Sequence, residues 1–309
     1  MSLTEPAAAP LDGYLLVDKP AGLTSQQVVS RVKRTLGVRK AGHAGTLDPM
    51  ATGLLIVGLG KATRLLGYLS GDDKQYEATI RLGQATTSDD AEGEPLAEPV
   101  DATGLSDQVI ADAIDHYRGA IDQVPSAVSA IKVAGQRAYA LVRSGQAVDL
   151  PARPVRIDRF VVEGRTDTAG WVDLAVRIDC STGTYIRALA RDLGRDLGVG
   201  GHITQLRRIR VGQFEVANAV GLDDVTPTAV GDLATLARAV APSVEVDPAT
   251  ARAVTFGQGI PLDRPGLTSI FGAGQFLGLY RPAADRPGWA TAVAIMAEPE
   301  RLATGVNDV

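Results

Sequence analysis

Residues 42–55 read GHAGTLDPMATGLL and hold a single acid, Asp48, in an otherwise uncharged stretch. The residue before a proline is pushed out of the helical region, so Asp48 must be extended or in a turn, with Gly42, Gly45 and Gly53 letting the backbone bend around it. A carboxylate, unlike a serine or a lysine, needs no base to act as a nucleophile near neutral pH, so covalent chemistry is open to this loop. The plain alternative is an Asx-turn in which the side chain bonds a nearby amide. Arg187 is the candidate partner. It falls in the opening turn of a helix, where a cation opposes the helix dipole by roughly 0.3–1 kcal/mol, and an aspartate held against it offsets that cost. Tyr76 in KQYEA and Tyr185 in GTYIR are flat rings with hydroxyls beside polar neighbours. Such rings suit stacking on a base removed from its helix, although each alone is also an ordinary core ring.

Other chemistries lose support. No G-x-G-x-x-G, G-x-S-x-G or H-E-x-x-H occurs, and GLGKATR lacks the first glycine of a phosphate-binding loop. One cysteine, Cys180, and three scattered histidines, His43, His116 and His202, offer no ligand spacing, so neither a metal nor a disulfide is expected. No apolar run approaches a membrane span and MSLTEPAAAP has no signal-peptide pattern, which leads to the expectation of a cytoplasmic protein. The net charge of -5 argues against nonspecific coating of nucleic acid, yet the charges segregate. Residues 31–64 carry seven bases against Asp48, residues 72–115 twelve acids against two bases, and residues 187–210 six arginines against two aspartates. A polyanion can be held locally by such basic stretches.

The elements that must position these residues follow from periodicity and punctuation. Residues 1–11 are Ala/Pro-rich and expected to be disordered. GYLLVDKP (13–20) and GLLIVGLG (53–60) are expected as buried strands, with a helix between them capped by Ser25, buried through Val28, Val29, Val32 and Leu36, and closed by Gly37. A short helix over 61–69, a half-buried strand over 74–83 and a helix over 106–118 follow. Gln84–Gly104 is polar, acidic and rich in turn formers, and is expected as a surface excursion. Further on come a strand at 129–133, a short helix at 138–145, strands at 153–163 and 171–180, and an amphipathic helix at 184–198. Strands and helices mix without strict alternation, which predicts an α+β fold with a mixed or antiparallel sheet. Near Pro242 glycines and prolines become frequent, and QFLGLYRP and ATAVAIMAE are strand candidates. The expected organisation is therefore a catalytic domain over 12–242 and a small β-rich domain over 243–309.

GHAGTLDPMATGLL closely resembles the signature of the TruB family of tRNA pseudouridine synthases, and the likeness continues in order. DKPAGLTS (18–25) is similar to that family's Lys-Pro motif; RLGQATTSDDAEGE (81–94), QVPSAVSAIKVAGQRAYALVRSG (123–145), STGTYIRALARDLG (181–194) and LRRIRVGQF (206–214) resemble its later blocks. The resemblance covers roughly residues 13–220 and implies a pseudouridine synthase core with a mixed, largely antiparallel sheet flanked by helices, followed by a PUA-like β domain. It implies isomerisation of a T-loop uridine of tRNA, conventionally position 55, without metal or organic cofactor. Asp48 becomes the nucleophile, with attack at C1′, elimination to a glycal and addition at uracil C6 all open to it. Tyr76 is implied to stack on the uracil and to be a candidate for proton handling. Tyr185 and Arg187 line the pocket, His43 helps the T-loop open, Lys19 and Pro20 support the pocket, and Leu206 walls it. Lys33, Arg34, Arg39, Lys40, Arg207, Arg208 and Arg210 are expected as phosphate contacts. The expected partner is the tRNA T-stem-loop, met by a monomer that has no membrane association and no obligate protein partner. Two alternatives accompany this reading: a guide-RNA-dependent synthase of the dyskerin type, and a tRNA-folding helper that binds and opens the T-loop.

Overall fold

In GYLLVDK every second residue is buried, as in a strand with one face on a core, and it forms β1 (Gly13–Lys19) in a computed structural model that describes residues 11–127, 132–133, 136–137 and 150–297. Helix α1 (Ser25–Leu36) buries Val28, Val29 and Val32 against β1 and its neighbour. Its N-cap is Thr24, not Ser25. Thr24 Oγ1 accepts from the Gln27 amide while the Gln27 side chain accepts from the Thr24 amide, a reciprocal capping box. Ser25 instead ties the Asp48 loop to the helix start, its hydroxyl donating to the Leu47 carbonyl at 3.1 Å and accepting from the Leu47 amide at 2.9 Å.

β2 (Ala41–Ala44) leads into that loop and β3 (Thr52–Leu59) leads out of it. After a 3-10 turn and α2 (Leu66–Leu69) come β4 (Lys74–Leu82), α3 (Asp107–Asp115), β5 (Gly119–Gln123), the short pair β6 (Lys132–Val133) and β7 (Gln136–Arg137), β8 (Arg153–Thr168) and β9 (Trp171–Cys180). Helix α4 (Ile186–Asp196), β10 (Gly201–Val211), β11 (Phe214–Glu215), β12 (Val220–Gly221) and α5 (Leu233–Val240) complete this part. The main sheet has ten strands and runs β12-β1-β3-β10-β4-β9-β8-β5, with β2 on β3 and β11 on β10. Only β1/β12 and β3/β10 are parallel in it, so the expected mixed, largely antiparallel sheet is found. The expected helix at 138–145 and most of the strand at 129–133 lie outside the described residues, as do residues 1–10.

The parallel β3/β10 junction sets Thr52 against Arg207 and Gly53 against Arg208, bringing the end of the Asp48 loop onto the strand that carries both arginines. Gly53 has φ 96°, and a Cβ there would lie 2.3 Å from the Arg208 carbonyl oxygen. Gly53→Ala is therefore expected to destabilise the fold by at least about 2 kcal/mol, measured by urea unfolding.

A second sheet of five strands runs β13-β15-β16-β17-β14, built from β13 (Ser243–Glu245), β14 (Ile260–Pro261), β15 (Thr268–Gly272), β16 (Gln275–Pro282) and β17 (Trp289–Ile295), with α6 (Pro248–Thr255) against it. β15, buried along its whole length, lacks the alternation by which a strand is read from sequence. This sheet is not isolated from the first. Phe271, Phe276 and Leu279 share one apolar cluster with Leu54, Ile56, Leu69 and Phe214, and the Lys61 ammonium donates to the Met296 carbonyl at 3.0 Å.

Candidate active site

The Asp48 loop is held from below by Lys19, which is fully buried. Its ammonium donates to the carbonyls of Pro20 at 2.9 Å, Pro49 at 3.1 Å and Ala51 at 2.7 Å, one proton for each acceptor. Burial pulls the Lys19 pKa down to about 8, opposed by the nearby Asp48 carboxylate. Pro20 itself is exposed and contributes its carbonyl. Ser25 and Lys19 thus grip the loop on both sides of Asp48.

Arg187 approaches from α4. Its side chain is 5% exposed, and its Nε lies 3.0 Å from Asp48 Oδ2, whose side chain is 36% exposed. The same guanidinium faces Asp90 Oδ2 at 3.3 Å and donates to the Ser88 carbonyl at 2.8 Å. Most of the expected surface excursion over 84–104 is exposed, but Asp90 and its neighbour Asp89 are buried. The excess of acids in this segment conceals two that turn inward, because α4 brings buried Arg187 and half-buried Arg191 there to be matched.

Tyr185 stands at the N-cap position of α4 and makes no side-chain cap. Gln123, 2% exposed, instead accepts from the Tyr185 amide at 2.8 Å and donates to the Tyr185 carbonyl at 3.1 Å. Periodicity carries no sign of Gln123; only the antiparallel β5/β8 pairing places it beside the helix start.

Asp48, Tyr76, Tyr185, Arg187, Leu206 and Arg208 line one cavity of about 320 Å³. Tyr76, nearly buried on β4, sits opposite Arg208 of β10. Burial raises the Tyr76 pKa against the opposing effect of Arg208, so the phenol is neutral at physiological pH. The expectation that Arg208 contacts phosphate is corrected here. It is 1% exposed and donates to the carbonyls of Leu54 at 2.8 Å and Gly45 at 3.0 Å, so it is a pocket-lining residue tied into the fold and not a surface base. Lys74, which the sequence did not single out, lines the same cavity, its ammonium donating to Ser70 O, Asp72 O and Thr182 Oγ1.

The remaining candidates lie around this centre. His43 is on β2; burial and Arg208 lower its pKa, and its buried Nδ1 has no hydrogen-bond partner among the described residues. Arg34, Arg39 and Lys40 are exposed and Lys33 is half-buried, along the end of α1 and the turn after it. Arg207 is forked onto Asp18 at 2.6 and 2.9 Å, and Arg210 lies 3.3 Å from Asp179, so both are neutralised within the fold. Burial raises the Cys180 pKa to about 12, which leaves its thiol unreactive. Among the described residues no cluster of His, Cys, Asp and Glu is placed to hold a metal, and no helix is long and apolar enough to cross a membrane.

Residues 33–186 match the model of the TruB family pseudouridylate synthase N-terminal domain, and residues 187–244 match the tRNA pseudouridylate synthase B C-terminal domain. A tRNA pseudouridine synthase B of Cutibacterium acnes (strain DSM 16379 / KPA171202) is 48% identical over 293 residues, 92% of this chain and 98% of that protein. Another, from Mycolicibacterium paratuberculosis (strain ATCC BAA-968 / K-10), is 61% identical over 213 residues, 69% of this chain and 72% of that one. Among solved structures, a chain of an H/ACA RNP bound to a substrate RNA containing 2'-deoxyuridine superposes with a TM-score of 0.69 at 23% identity, over 94% of this chain and 86% of that one, which shows a common fold. With the family models and a relative matched over nearly its whole length in agreement, the chain belongs to the TruB family of pseudouridylate synthases.

Proposed function

We propose that this RNA pseudouridine synthase isomerises a uridine of the tRNA T-loop, position 55, with Asp48 as the nucleophile acting on a uridine turned out of the loop. The observation that carries the reading is the carboxylate of Asp48, partly open to solvent, ion-paired to a buried arginine and facing a cavity walled by Tyr76 and Leu206. Isomerisation breaks the N1–C1′ bond and forms a C5–C1′ bond; N1 ends protonated, the C5 proton is released, and atoms and electrons balance without an outside reactant. Asp48 supplies the carboxylate that adds to the nucleotide. Tyr76, neutral through burial, offers a ring to stack on the uracil and a phenolic proton to share. Turning the uridine out costs a few kcal/mol of stacking, which Tyr76, Tyr185 and Leu206 are placed to offset. The purified protein, given a bare T-stem-loop RNA with one candidate uridine and no guide RNA, is expected to form pseudouridine. Failure on both that RNA and full-length tRNA would overturn the assignment.

The exposed bases at the end of α1 support an RNA-binding edge. Replacing Lys33, Arg34, Arg39 and Lys40 together by alanine is expected to flatten the slope of log affinity against log salt by about 3, with the single-turnover rate at saturating RNA unchanged, as filter binding over a salt series will measure. Arg207 and Arg210, already paired, are expected to alter that slope little. The reading extends to a catalytic domain over 12–242 and a PUA-like domain over 243–309. It also includes a monomer acting in the cytoplasm without an obligate protein partner.

A further inference from the structure

Two consecutive buried acids serve two arginines one helical turn apart: Asp90 faces Arg187, and Asp89 faces Arg191. Asp89 does not itself line the cavity. Its backbone has φ 60°, a left-handed conformation uncommon for a residue with a side chain, and that turn aims its carboxylate inward. The Asp89 carbonyl accepts from the Ile203 amide at 3.1 Å, which seats the turn on β10. Asp89 Oδ2 accepts from Ser126 Oγ at 2.7 Å and lies 3.2 Å from Arg191 Nη1. Arg191 reaches further, donating to the carbonyls of Val124 at 2.8 Å and Pro125 at 3.5 Å, and it also pairs with Asp192. Every residue from Val124 to Ser126 is thus bonded to the Asp89–Arg191 pair. The residue just before them is Gln123, which holds the main chain of Tyr185 where α4 has no side-chain cap of its own.

We infer that Asp89 is a positioning residue: it locks Val124–Ser126 onto α4, and through Gln123 it fixes where Tyr185 stands at the pocket. The catalytic part of this inference rests on the assignment of that pocket to the uridine. Misplacing a pocket residue by about 1 Å can slow a reaction on the order of a hundredfold, so a lock outside the cavity has leverage on the rate. Affinity for the RNA, carried elsewhere by phosphate contacts, has no such dependence.

The test is a double-mutant cycle with Asp89→Ala and Gln123→Ala, read by single-turnover pseudouridine formation on T-stem-loop RNA. Each single variant is expected to be about tenfold slower with the RNA Kd within twofold of wild type, and the double variant no slower than the slower single, since both cut one chain of contacts. Asp89→Gly, which accepts φ 60° without strain while removing the carboxylate with the rest of the side chain, is expected to match Asp89→Ala. Asp89→Asn, which keeps an acceptor oxygen, is expected to fall between them and wild type. A rate within twofold of wild type for Asp89→Gly, or additive losses in the double variant, would overturn the inference. If Asp89→Ala does not fold, Ser126→Ala takes its place in the cycle. Hydrogen exchange at the Tyr185 amide gives a readout independent of turnover: it should accelerate about tenfold in Asp89→Gly, and unchanged exchange overturns the lock even if the wild type converts no uridine. An inactive wild type with accelerated exchange in the variant sinks the assigned reaction and leaves the lock standing.

Discussion

Asp48→Asn is expected to abolish pseudouridine formation, lowering the single-turnover rate by at least about 10⁴-fold, while RNA affinity stays within about threefold. The amide keeps the size of the side chain and an oxygen facing Arg187, but it is not a nucleophile. Folding survives because Arg187 retains Asp90 and the Ser88 carbonyl as partners, so the stability change should stay under about 1 kcal/mol. Asp48→Glu adds one methylene between the loop and the carboxylate; with Lys19 and Ser25 holding the loop, the longer side chain cannot be absorbed by backbone movement, and about a hundredfold loss is expected. Rapid-quench assays with filter binding separate the two effects. Turnover by Asp48→Asn within tenfold of wild type would place the nucleophile elsewhere.

Replacing Arg187 acts on the fold as well as on the chemistry. Arg187→Met leaves Asp90, 6% exposed, as a buried charge without its partner, and a loss of about 3–5 kcal/mol is expected in urea unfolding. Arg187→Lys keeps a charge but not the planar fork that meets Asp48, Asp90 and the Ser88 carbonyl together. It should lose only about 1–3 kcal/mol of stability and still turn over about a hundredfold more slowly. The double variant Arg187→Met/Asp90→Asn removes the orphaned charge, so it should recover part of the stability and none of the rate. Recovery of rate together with stability would mean that Arg187 serves the fold alone.

Much of the framework was legible because local signals are strong where the chain alternates between core and solvent. β1, β4, β9 and α4 carry clear periods of two or 3.6 residues, and Gly37, with φ 63°, closes α1 where its sequence position indicates. The Asp48 loop was legible for a different reason: glycines and a proline restrict the backbone so tightly that few conformations remain. The capping residue was misplaced by one position because Thr24 and Ser25 are both good caps, and only the contact between Ser25 and Leu47, 22 residues away, separates their roles. Arg208 was misjudged because an arginine in a basic run looks the same whether it faces water or the pocket floor. The β3/β10 pairing, which joins segments over 150 residues apart, decides that it faces inward.

By itself, then, the sequence determined the types of group available for chemistry, the loop that presents Asp48 and the helix that carries Arg187, because these depend on backbone restriction and short-range periodicity. Tertiary structure alone decided which charges are buried. Asp89 and Asp90 sit in the most acidic part of the chain, yet they turn inward because α4 delivers Arg187 and Arg191 to the same place. Gln123 comes to hold the main chain of Tyr185, 62 residues downstream, because β5 ends beside it. A buried charge or polar group is stable only when a partner from elsewhere in the chain arrives, so its fate is a property of the assembled sheet and helices and is not written in the residues around it.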